Sequence, residues 1–153
     1  MNTNGRNLSI NRKPRPILFL NPVLKEMVWG GSRLGTDFGY QLPGNEVGEC
    51  WGISAHPNGD DGVDDNCFIG KTLSELWENE RYLFGNLKED RFPLLVKVID
   101  AKQNLSIQVH PDDGYAKEHE GGSLGKTECW YIIDCEEGAE LVVGHNARTK
   151  EEL

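Results

Sequence analysis

Leu105-Ser106-Ile107-Gln108-Val109-His110-Pro111 alternates apolar and polar side chains without a break. Successive side chains of a strand point to opposite faces, so Leu105, Ile107 and Val109 form one row and Ser106, Gln108 and His110 the other. Gln108 and His110 then stand roughly 7 Å apart on one face, a workable spacing for two ligands of one cation. Pro111-Asp112-Asp113 closes the strand.

The same period recurs on both sides of this stretch. Downstream, Gly125-Lys126-Thr127-Glu128-Cys129-Trp130-Tyr131 is a glycine turn feeding a strand on which Lys126, Glu128 and Trp130 share a face. If that strand lies beside the first, Glu128 reaches the same cation as His110, in a mixed oxygen and nitrogen site that leaves a position open for substrate. Strands are expected at Leu94 to Ile99, Leu105 to Val109, Glu128 to Ile133 and Glu140 to Val143. Upstream, Val47 to Ala55 alternates as well, placing Glu49 and Trp51 on one face. Ile17 to Leu20 is a short apolar run stopped by Asn21-Pro22, and Trp29-Gly30-Gly31 reads as a turn with an aromatic beside it.

One helix is well signalled, because Thr72 and Glu75 form a capping box ahead of Leu73, Leu76 and Trp77 on one side; it ends near Phe84-Gly85. Pro57 to Gly70 is rich in Gly, Asp and Asn and reads as a surface loop. Closely spaced strands with one or two helices predict a mainly β fold, a largely antiparallel sandwich or barrel with helical additions. Residues 1–15 are polar and end in alternating prolines, a flexible amino-terminal extension; residues 16–153 form the packed part. Thr149 and Glu152 repeat the capping arrangement and announce a helix that the sequence does not go on to supply, the mark either of a truncated chain or of a chance capping box in a tail.

Composition narrows the partners. With 37% hydrophobic and 27% charged residues in 153, the chain has the makings of one domain with a core rather than a disordered segment. The net charge of -9 gives no electrostatic footprint for nucleic acid or an anionic membrane. A small anion is still compatible, since a few lysines in a cleft outweigh a distant acidic surface. Cys50, Cys67, Cys129 and Cys135 make no CxxC pair and read as unbridged thiols of a reducing cytoplasm. No apolar stretch is long enough for a signal peptide or a membrane span.

A single histidine at a strand end is more often a satisfied structural residue than a ligand, and His56, His119 and His145 are read that way. His110 differs because Gln108, Lys126 and Glu128 are also polar groups at inward positions of apolar strands, where unpaired burial is costly. Lys97, within Leu94-Leu95-Val96-Lys97-Val98-Ile99, either snorkels from an edge strand or faces a polar partner. With Lys126 it can supply the positive field that holds a phosphate.

Three stretches taken in order resemble one family: Phe92-Pro93-Leu94-Leu95-Val96-Lys97-Val98-Ile99-Asp100-Ala101, then Leu105 to Asp113, then Gly125 to Tyr131. The family is type I mannose-6-phosphate isomerase in its shorter bacterial form, and Trp29-Gly30-Gly31 and Gly48-Glu49-Cys50-Trp51-Gly52-Ile53-Ser54 share the likeness. The resemblance implies a cupin (jelly-roll) β-barrel, of which this chain supplies the amino-terminal half, interconverting mannose 6-phosphate and fructose 6-phosphate with one zinc ion. It implies His110 and Glu128 as metal ligands, Gln108 as a residue that ligates or lines the metal, and Lys97 and Lys126 as catalytic lysines. Lys97, Lys126 and Trp29 are the side chains expected to contact the sugar phosphate.

The family's remaining histidine ligand and a catalytic arginine lie further downstream, and nothing in this sequence matches them. A second chain or a missing carboxy-terminal half is therefore expected to complete the site. Two rivals stand beside this reading: a non-catalytic cupin module that binds a sugar or a partner protein, and a cupin dioxygenase, which would want a histidine where Gln108 stands.

Overall fold

The computed structural model describes residues 17–64 and 67–152. The expected extension over residues 1–15 lies outside them. The chain divides between Leu105 and Ser106 into two compact units, and each has its own logic.

The first unit is an antiparallel sheet built around one long strand. That strand, β3 (Val47–His56), is flanked by β2 (Val23–Gly31) and β6 (Leu95–Ile99), while β4 (Gly59–Asp60) pairs with its far end. A separate two-stranded ribbon joins β1 (Leu20–Asn21) to β5 (Gly62–Val63). The expected turn at Trp29-Gly30-Gly31 is instead the end of β2. The register of β2 on β3 slips between Glu26 and Gly31, and Gly30 bridges to Ala101. Glycine is required for this crossing: a Cβ on Gly30 would lie 2.5 Å from the Gly48 nitrogen, and one on Gly48 would lie 2.4 Å from the Trp29 ring.

The core of this unit lies where β3 meets a short helix, α1 (Arg33–Thr36). Leu34, Val47 and Cys50 are fully buried, with Leu24, Tyr40, Leu42 and Val98 packed around them. The capping box at Thr72 forms as the sequence predicts: Glu75 accepts from the Thr72 N–H at 2.9 Å, and Thr72 Oγ1 accepts from the Glu75 N–H. It starts α2 (Leu73–Asn79), whose Leu73, Leu76 and Trp77 are buried. A 3-10 turn, Arg81–Phe84, follows and closes on the left-handed Gly85. The expected surface loop over 57–70 contains β4 and β5 instead, and buries Asp61 completely.

The second unit contains one helix, α3 (Asp113–His119), capped by Asp112, which accepts from the Tyr115 N–H at 2.8 Å. Asp112 and Asp113, expected from the sequence to close a strand, serve as helix starters, because a short carboxylate satisfies orphan amides. The three strands expected at Leu105 to Val109, Glu128 to Ile133 and Glu140 to Val143 carry no ladder among the described residues. Alternation selects faces, but a strand is completed only by a neighbour that takes its N–H and C=O groups. The helix announced at Thr149 is a single 3-10 turn, Lys150–Glu152, and the Glu152 carboxylate accepts from the Arg148 N–H at 2.7 Å.

Candidate metal centre

His110, Lys126 and Glu128 converge in the second unit. His110 Nε2 lies 2.9 Å from Glu128 Oε2, Lys126 Nζ lies 3.1 Å from His110 Nε2, and Lys126 Nζ lies 3.3 Å from Glu128 Oε1. The backbone brings them together. The Lys126 N–H donates to the Pro111 carbonyl at 3.1 Å, and the Gly125 N–H donates to Asp113 Oδ1 at 2.8 Å. This approach needs the glycine, since a Cβ on Gly125 would sit 2.5 Å from Asp112 and Asp113 backbone atoms. With residues 125 and 126 clamped against 111 to 113, Glu128 faces His110.

The site is partly shielded: the side chains of His110 and Glu128 are 24% and 32% exposed, and that of Lys126 is 47% exposed. Burial pushes the Glu128 carboxyl upward. The hydrogen bond and charge of Lys126, with hydrogen bonds from Trp130 and His110, outweigh it and hold the group below the usual carboxylate range. Glu128 is thus kept ionised and ready to act as an acceptor or a ligand.

Gln108 is exposed. Its amide donates to Ser106 Oγ at 3.0 Å, and it lines an open cavity of about 600 Å³ together with His110, Val142, His145 and Asn146. The expected separation of faces is not kept, since Ile107 and Val109 line the same cavity as Gln108 and His110. His145, read from sequence as a structural residue, is thus on the wall of the same cavity as His110. No periodic pattern surrounds His145, so nothing in the sequence singled it out.

The donor set fits zinc in kind: one imidazole nitrogen and one carboxylate oxygen within hydrogen-bond reach of each other, with an amide two residues from the imidazole. It supplies part of a coordination shell. Among the described residues no three His, Cys, Asp or Glu side chains form a group that could hold an ion.

The other expected substrate residues belong to the first unit. Lys97, on β6, places its ammonium 3.2 and 3.1 Å from the two oxygens of Glu49, and 4.8 Å from the centre of the Trp51 ring. The partner that its position in an apolar strand called for is therefore Glu49. Trp29 is half-buried and packs on Gly48, and its carbonyl accepts from the Lys102 and Gln103 N–H groups at 3.0 and 3.2 Å.

The described residues form a mainly β structure with few short helices, and a solved structure that it resembles has the cupin fold. Residues 17–143 match the catalytic domain of type I phosphomannose isomerase, and the chain belongs to that family. It is 60% identical over 136 residues to mannose-6-phosphate isomerase ManA of Bacillus subtilis, covering 89% of this chain and 43% of the relative. The mannose-6-phosphate isomerase of Streptococcus mutans is 54% identical over the same shares. The crystal structure of the Bacillus subtilis mannose 6-phosphate isomerase superposes with a TM-score of 0.77 at 58% identity, covering 78% of this chain and 38% of that one. The chain thus spans about two-fifths of the length of the curated relatives it matches.

Proposed function

We propose that this chain provides the amino-terminal part of a zinc-dependent isomerase that interconverts mannose 6-phosphate and fructose 6-phosphate. The observation that carries the reading is the contact of His110 Nε2 with Glu128 Oε2 at 2.9 Å, inside the stretch that matches the family's catalytic domain. His110 and Glu128 would hold the ion, with Gln108 beside them, and donors from outside these residues would complete its shell. When bound, zinc supplies Lewis acidity toward sugar oxygens.

The rest follows from the chain's own groups. Aldose–ketose isomerisation moves a proton between C1 and C2 through a cis-enediol and needs positive charge near the developing oxyanion. The Lys126 ammonium, held between His110 and Glu128, is oriented to donate to that oxygen. Its half-exposed side chain fits a charge-stabilising role. Lys97 is the proposed contact for the substrate's phosphate, with Trp29 a further substrate residue.

The non-catalytic alternative draws on one observation: Ile107, Tyr131 and Val143 are 73%, 89% and 84% exposed, an apolar surface suited to a partner. Two measurements separate the readings. Zinc binding by calorimetry and a coupled assay with mannose 6-phosphate are run on the chain alone and with the downstream portion of the Bacillus subtilis relative added as a second polypeptide. Zinc uptake that disappears in His110→Ala and Glu128→Gln, with turnover in the wild type, supports the isomerase. Equal zinc affinity in all three proteins would refute the proposed ligands. For either variant the affinity loss should exceed the roughly 10–100-fold that loss of an outer-shell partner costs.

A further inference from the structure

Within the sheet of the first unit, Lys25, Glu49, Trp51 and Lys97 form a patch across three strands. Glu49 stands opposite Lys25 on β2, and Trp51 stands opposite Lys97 on β6. The side chains do not simply pair across. Lys25, directly facing Glu49, lays its ammonium 4.7 Å from the Trp51 ring centre and donates to the Asn58 carbonyl. Glu49 reaches diagonally to Lys97 instead, with both oxygens, and accepts the Trp51 indole N–H at 2.6 Å. Its side chain is only 13% exposed, and that of Lys97 is 23% exposed.

A lysine ammonium is a point charge on a flexible stem and has no preferred direction of its own. Here two of its three N–H donors are directed to one carboxylate, the indole face lies beneath it, and the carboxylate is anchored in turn by the indole N–H. One donor is left for another acceptor. With two ammonium groups around Trp51 and one carboxylate among them, the patch keeps a net positive charge suited to an anion.

We propose that Glu49 is a positioning residue for the substrate anion: it fixes the Lys97 ammonium beside Trp51 in the orientation from which Lys97 meets the phosphate. The inference rests on the proposed role of Lys97 and gives that role a structural origin. It makes a prediction opposite in sign to simple electrostatics. A carboxylate near an anion site repels the anion, so neutralising it should tighten binding by charge alone; if Glu49 acts by holding Lys97, neutralising it loosens binding.

The test uses Glu49→Gln, which keeps an oxygen for the Trp51 N–H and an amide of nearly equal shape, together with Glu49→Asp, Lys97→Gln and the double variant of Glu49→Gln with Lys97→Gln. Mannose 6-phosphate is titrated into each 153-residue chain, and the Lys97 ammonium is followed by NMR with nitrogen-15 lysine. Glu49→Gln is expected to weaken the sugar phosphate about tenfold and to broaden the Lys97 ammonium signal away at an unchanged Tm. Glu49→Asp should recover part of both effects, and the double variant should bind no worse than Lys97→Gln. Unchanged or tighter binding in Glu49→Gln, or losses that multiply in the double variant, would overturn the proposal. A different failure is recognisable: if Lys97→Gln binds like wild type while Glu49→Gln still releases the ammonium signal, the reading of Lys97 as a phosphate contact falls, and the positioning role falls with it.

Discussion

The two units use the same kinds of residue to opposite effect. In the first unit, aliphatic side chains from a strand and two helices disappear from solvent: Val47 on β3 and Leu34 on α1 are 0% exposed and Leu76 on α2 is 2% exposed, while Val28 on β2 stays at the surface. Beyond Leu105, the apolar Ile107, Tyr131 and Val143 stand 73%, 89% and 84% exposed. The second unit nevertheless carries the convergence of His110, Lys126 and Glu128. Stability and the candidate ion site thus lie in different pieces, and the piece bearing that site has the thinner core.

Breaking the well-packed side should have the largest consequence. Leu34→Ala removes a side chain with no exposed surface from the cluster with Val47 and Cys50, leaving a cavity that neighbouring strands cannot fill. A loss of about 2–5 kcal/mol is expected from urea unfolding monitored by tryptophan fluorescence. A loss below ~1 kcal/mol would mean that this cluster is not the unit's stabilising core.

Asp61 sharpens the contrast from within the first unit. It is 0% exposed, its Oδ2 accepts from the Ser54 N–H at 2.8 Å, and its Oδ1 has no hydrogen-bond partner among the described residues. Burial raises its pKa from 3.8 to about 6 against the lowering hydrogen bonds from the Ser54 and Val23 backbone, with Asp60 adding to the rise. Between those two values the folded chain holds a proton that the unfolded chain has released. Stability is therefore fully present below the lower value and is lost as pH rises toward the upper one, by about 3 kcal/mol in total. Asp61→Asn should remove this dependence. Unfolding curves of wild type and variant that keep a constant gap across the window would show that Asp61 does not titrate in it.

Most of the first unit is legible in the sequence because its signals are local. The alternation from Val47 to Ala55 marks a strand with two unlike faces, the capping box at Thr72 satisfies the first amide groups of its own helix, and the structure places β3 and α2 there. What escaped reading depends on distant neighbours. Asp61 looks like a turn residue, and only its contact with Ser54 shows it buried; Trp29-Gly30-Gly31 looks like a turn, and only Gly48 and Ala101 draw it into β2. In the second unit period two puts Gln108 near His110 and Lys126 near Glu128, but the inward placement expected of them is not found: Ser106, Gln108, Lys126 and Glu128 are exposed and His110 is partly buried. The clamp that joins them, Gly125 against Asp112 and Asp113, has no periodic signature. Glu49 was placed beside Trp51, but its diagonal reach to Lys97 depends on cross-strand register.

Smaller effects probe the local signals themselves. Thr72→Ala removes one half of the capping box at α2 while leaving the Glu75 carboxylate on the residue 72 N–H. A loss of about 1 kcal/mol is expected, read as a lower urea midpoint with an unchanged slope. No change would mean that tertiary packing of Leu73, Leu76 and Trp77 alone holds the helix start.

The smallest effect is expected where the sequence pattern is just as regular but nothing covers it. Val143 follows Leu141 and Val142 in an apolar run, yet with 84% of its surface exposed it has little transfer energy to lose. Val143→Ala should change the urea midpoint by no more than the equivalent of ~0.5 kcal/mol. The same substitution becomes informative once the downstream portion of the Bacillus subtilis relative is supplied. If a partner segment buries this surface, the cost of Val143→Ala should rise toward the range seen for core truncation, and the contrast between the two units should disappear. A cost that stays small in that mixture would mean that Val143 remains at the surface when the second polypeptide is present.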